Sequence, residues 1–166
     1  MEMEPWEVWV RGTWLHQFML DNYWLWPVCE SLHFIGLSLL IGAVGLFDLR
    51  VLGMAKAIAP AALHKLVPAG VAGYLLNLFT GITFFFAFPE QYAYNRAFHF
   101  KLAFMAVAGV NVLLFYGSAF RGVRALPAGA DAALRAKLFA GISLAMWVGV
   151  MTAGRLLTFF RPPFFH

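Results

Sequence analysis

Glu30 and His33 stand three residues apart, so any helix carrying them presents a carboxylate and an imidazole to nearly the same side. An imidazole there suits haem iron, a metal ion or a quinone oxygen. Cys29 lies four residues before His33, and Thr152 three before Arg155, adding a thiol and a hydroxyl at helical spacing. Two permanent cations, Lys101 and Arg155, are embedded in apolar stretches of their own. One carboxylate against two cations leaves the group net positive by one charge when His33 is neutral. Spare positive charge in a low-dielectric site calls for an anionic partner, such as a propionate, a quinone oxygen or a carboxylate solute. The candidate ligand-binding residues are therefore Glu30, His33, Lys101, Arg155 and Thr152.

A plainer account of the same residues is structural. Lys101 snorkels to the headgroups, Glu30 and Arg155 form an ion pair that sets helix register, and His33 is a hydrogen-bonded packing residue. A bis-histidine haem would need His99 beside His33. His99 and Lys101 are ~200° apart on a helix at ~100° per residue, so only one of them faces the bundle. A metal site would draw on Cys29, His33 and His99, and spacing alone makes those weak candidates. Asp48 and Arg50 follow the first apolar stretch as loop anchors, with Arg121 and Arg124 within reach of Asp48. Asn77, Thr80, Thr83 and Asn111 read as interhelical hydrogen-bonding residues. No phosphate loop, HExxH, GxSxG or cysteine pair occurs, so the pattern carries no catalytic constellation.

Four long apolar stretches must position these groups: Val28–Phe47, Val67–Phe88, Phe98–Phe120 and Leu138–Phe160. Crossing a ~30 Å hydrocarbon core takes ~20 apolar residues, and each stretch has about that length. The 166-residue chain is 62% hydrophobic and 12% charged, about half the charge of a soluble domain, with mean hydropathy +0.75. The expected fold is an all-α membrane protein, one domain over residues 1–166. Four antiparallel transmembrane helices, about 27–49, 67–88, 97–120 and 137–160, form a bundle behind an interfacial amphipathic helix at 6–20. Net charge is +4 but spread over loops, which argues against nucleic acid. Cys29 is the only cysteine, so the chain has no intramolecular disulfide. Glu2 and Glu4 stand where a signal peptide would be basic, so the first span is expected to act as its own insertion signal.

Orientation follows from the basic residues. Arg50, Lys56, Lys65, Arg121, Arg124, Arg135 and Lys137 sit on one side and Arg11, Arg96 and Arg161 on the other, seven against three. That puts both termini in the periplasm and the seven in the cytoplasm of a bacterial inner membrane. Glu30, His33, Lys101 and Arg155 then share the outer third of the bilayer. Asn95 and Asp131 are expected helix caps, and Pro89 and Pro127–Gly129 mark turns.

The chain resembles a family of small bacterial membrane proteins known as domain of unknown function 6644. The resemblance rests on WLWPVCESLHFIGLSLLIGAVGLFDLRVLG (Trp24–Gly53), FKLAFMAVAGVN (Phe100–Asn111) and AGR (Ala153–Arg155). It covers nearly the whole length and implies a four-span bundle. Glu30, His33, Asp48, Arg50, Lys101, Asn111 and Arg155 match its pattern, and His99 does not. It supplies no activity, substrate or cofactor.

Two functions fit this pattern. One is a small redox-associated subunit holding haem b or a quinone at the periplasmic side, next to a membrane or periplasmic redox partner. The other is a non-enzymatic membrane partner or a small-solute permease, the latter as a homo-oligomer because four spans are few for a transporter.

Overall fold

The computed structural model describes residues 4–160. Arg161, which entered the orientation count, lies outside the described residues. Four helices are long and apolar enough to cross a membrane: α3 Leu25–Leu52, α5 Val67–Ala87, α7 Arg96–Ser118 and α9 Leu134–Leu156. At 1.5 Å per residue the shortest, of 21 residues, spans about 31 Å. Two short helices precede them, α1 Pro5–Arg11 and α2 Trp14–Asp21, and three lie in the connections, α4 Pro60–His64, α6 Pro89–Ala93 and α8 Phe120–Arg124. No strand occurs among the described residues, and the fold is an all-α four-helix bundle.

Local chemistry sets the helix ends. Asn95 caps α7, its side chain accepting from the Ala97 amide at 2.9 Å. Gly53 ends α3 at φ 106°, a left-handed conformation that glycine adopts without steric cost, and the Met54 amide closes back on Leu49 O at 3.0 Å. Asp131 is not a cap: α9 begins after Ala133 with no side-chain cap. Its carboxylate instead binds Lys56 and Lys137, at 2.8 and 2.9 Å.

The long helices form two tight antiparallel pairs, α3 with α5 and α7 with α9, joined mainly along α3 and α9. Between α5 and α7 a Phe85–Phe98 ring contact at 6.3 Å lies near one end, and elsewhere the two hardly touch. The α3–α5 crossing is backbone on backbone: a Cβ on Gly73 would strike the Gly36 carbonyl oxygen, so neither position tolerates a side chain. Outside, Phe34, Leu39, Leu75, Phe79, Leu113 and Val148 are exposed, as lipid-facing positions require.

The single amphipathic helix expected at 6–20 is two helices. Gly12 and Thr13 break it, because the Thr13 hydroxyl caps α2 by accepting from the His16 amide at 3.3 Å. Both pieces are latched across one end of the bundle. Buried Glu7 accepts from Tyr94 Oη at 2.9 Å, Arg11 Nε donates to Glu90 Oε1 at 2.8 Å, and buried His16 donates from Nδ1 to Phe86 O at 2.8 Å. This end is called the N-terminal end below. The other, with α4, α8 and the connection into α9, is the basic-loop end.

Candidate ligand site at the N-terminal end

The inner face of α3 runs Cys29, His33, Gly36, Leu40, Ala43 and Phe47, alternating three and four residues as a buried helical stripe does. That stripe points the half-buried His33 ring at α5, where Nδ1 lies 2.7 Å from Thr80 Oγ1. The Thr80 hydroxyl has one proton, and Leu76 O takes it at 2.8 Å. The hydroxyl therefore accepts, His33 Nδ1 donates, and in the neutral ring the lone pair falls on Nε2. The tautomer is assigned by this network. It is also the arrangement that prepares a histidine to bind a metal or accept a proton. The Phe84 ring stands 5.7 Å from the imidazole.

Lys101, on α7, is half-buried and turned toward α9: its Nζ lies 3.8 Å from where a Cβ on Gly154 would sit. It is also within electrostatic range of the His33 ring. Among the described residues no carboxylate is within ion-pair distance of it. His99 faces outward, exposed, with Nε2 donating to Ala93 O at 2.8 Å. The angular reading holds, since Lys101 is in and His99 is out.

The expected Glu30–Arg155 pair does not form. The ion pairs among the described residues are Arg11–Glu90, Lys56–Asp131 and Lys137–Asp131. Glu30 is one residue, hence ~100°, round from buried Cys29, and Arg155 is two residues, ~200°, from buried Ala153. Both are exposed, and the Arg155 guanidinium lies 5.8 Å over the Phe159 ring. Thr152 is exposed as well. Glu30 does act on Tyr92 of α6, whose hydroxyl is pushed up to about 12, first by burial and then by this carboxylate. Nothing in the spacing flagged Tyr92, because its approach to α3 depends on how the α5–α6–α7 turn folds back.

The metal candidates do not converge: Cys29 and His33 share the inner stripe of α3, and His99 faces outward. Cys29 is buried against Met19 and Ala87, with only a weak Thr83 Oγ1 contact at 3.8 Å. Among the described residues no three of His, Cys, Asp and Glu gather as a metal site would need.

The structural polar residues divide. Asn111 bridges helices, donating to Phe139 O of α9 at 3.0 Å. Asn77 does not: its amide packs against Gly36 of α3 but bonds its own helix at Gly73 O (3.0 Å), and its Oδ1 is buried without a partner. Asp48 is buried against Ser143 of α9 and pairs with neither Arg121 nor Arg124. Arg50, wholly buried, donates to Ile58 O and, at 3.1 Å, to Ala130 O. It joins two loops.

By length and apolarity of its helices, the chain is an all-α, multi-pass membrane protein. Compared with family models, curated proteins and solved structures, it matches none.

Proposed function

We propose that the N-terminal end binds a membrane quinone, or a ligand of like carbonyl or anionic character, and that the chain serves as a small redox-associated subunit of a bacterial inner membrane. The observation that carries this is the pairing of His33, its Nδ1–H pinned to Thr80, with an inward ammonium on Lys101 that has no carboxylate. A quinone oxygen accepts from Lys101, and a quinol hydroxyl donates to His33 Nε2. The imbalance of charge favours a ligand with negative character. A bis-histidine haem b fits less well, because His99, the second histidine at comparable depth, is turned outward and already bonded. In this proposal the ligand lies on the periplasmic side with both termini, and kinship with domain of unknown function 6644 belongs to the same reading.

Organic extraction and an optical spectrum of the purified protein test it. Wild type should carry quinone near one per chain, with His33→Ala and Lys101→Met each losing it. A Soret band would replace quinone with haem, and wild type carrying neither would end the redox reading. A second reading then takes over, a non-enzymatic partner or oligomeric permease. It is favoured by exposed Glu30 and Arg155, whose charges contact with another chain would satisfy.

A further inference from the structure

Two adjoining clefts open at the basic-loop end and share Ser118. One, of about 320 Å³, is lined by Tyr116, Gly117, Ser118 and Arg121. The other, of about 540 Å³, runs between α8 and the start of α9. Val123, Ala132 and Ala136, all buried, line its depth, and Arg135 and Asp131 are its exposed charges.

Charge at this end does not cancel. Asp131 spends both carboxylate oxygens on Lys56 and Lys137, whose hydrogen bonds hold its pKa down at about 2. Arg50 is wholly buried, with Nε and Nη2 on backbone carbonyls. Among the described residues Arg121, Arg124, Arg135 and Lys65 have no carboxylate within ion-pair distance. Arg135 is exposed, with its guanidinium 5.9 Å over the Phe139 ring one turn further along α9. Beside the clefts, Leu113, Leu114, Leu134 and Leu138 are exposed apolar surface.

We propose that these clefts form a headgroup site for an anionic glycerophospholipid, with Arg121 and Arg135 taking the phosphate and the acyl chains lying on the neighbouring leucines. Guanidinium matches phosphate with paired N–H donors. Basic pockets between transmembrane helices are suited to anionic headgroups. The apolar depth of the larger cleft and the leucines around it select a lipid over free phosphate, which would use neither. Arg124 and Lys65 line neither cleft.

The test uses the full chain in uncharged detergent, with native mass spectrometry of phosphatidylglycerol and phosphatidylcholine adducts. Wild type should retain phosphatidylglycerol, one per chain, with a preference of roughly tenfold or more. Arg121→Gln with Arg135→Gln should remove that preference. Arg124→Gln with Lys65→Gln removes the same charge outside the clefts and should leave the preference within about twofold. All four positions are exposed, and a melting curve of each variant checks the fold. Equal retention of the two lipids by wild type overturns the site. So does equal loss in both double variants, which would mean diffuse surface charge. Displacement of phosphatidylglycerol by millimolar inorganic phosphate overturns the lipid assignment.

Discussion

At the basic-loop end, charge holds chain to chain, buried at Arg50 and exposed at Asp131. Arg50 joins the α3–α4 and α8–α9 connections through Ile58 O and Ala130 O, and Asp131 draws in Lys56 and Lys137. At the N-terminal end the pattern differs. The latches there, Glu7–Tyr94, Arg11–Glu90 and His16–Phe86 O, hold α1 and α2 in place but leave Lys101 and His33 Nε2 uncommitted. A buried charge that ties two connections together through their carbonyls is structural. One turned inward without a partner is costly unless something else completes it.

The largest expected effect attacks the structural end. Arg50→Ala leaves the Ile58 and Ala130 carbonyls without their charged donor and opens a cavity where a wholly buried side chain stood, and should cost about 2–4 kcal/mol in a detergent melt. Arg50→Lys should not rescue it, since one ammonium cannot reproduce the guanidinium's forked reach. A variant melting with wild type would remove the distinction between the two ends.

Lys101→Met should move stability the other way. Replacing an inward, unpaired ammonium with a side chain of similar length should stabilise ligand-free protein by about 1–3 kcal/mol. The same variant should lose the ligand. Destabilisation would show that Lys101 is structural, like Arg50.

Thr80→Val removes the acceptor that orients His33 and should cost about 1 kcal/mol. Ligand retention should fall more than stability does, because the ring then loses its assigned tautomer. Unchanged retention would show that this hydrogen bond does not prepare Nε2.

The smallest effect is the pH dependence of Asp131. Its folded pKa, about 2, lies below the ordinary 3.8, so its contribution is complete above that ordinary value and is lost as pH falls toward 2. Asp131→Asn should therefore lower the melting temperature slightly at neutral pH and converge with wild type near pH 2. A gap that widens in acid would contradict the ion pairs.

Much of this architecture was legible because the relevant physics is local. Runs of ~20 apolar residues specify spans whatever surrounds them, Asn95 caps the helix it precedes, and the ~200° between His99 and Lys101 is a property of any helix. Thr13 was legible in principle as a cap inside the amphipathic stretch, but the tryptophan pattern running through it concealed the break.

The pairing of Glu30 with Arg155 was not legible, because similar depth on two spans says nothing about rotation of each helix about its axis. That rotation is set by the Gly36–Gly73 crossing and by the small residues at which α3 and α9 meet their neighbours. The same long-range packing chose Thr80 for His33, Gly154 for Lys101 and the two lysines for Asp131. Sequence by itself determined the helices, their number and the residues that carry charge into them. Tertiary structure decided which charges face inward and which remain unpaired, since contacts between distant segments depend on how helices rotate and cross.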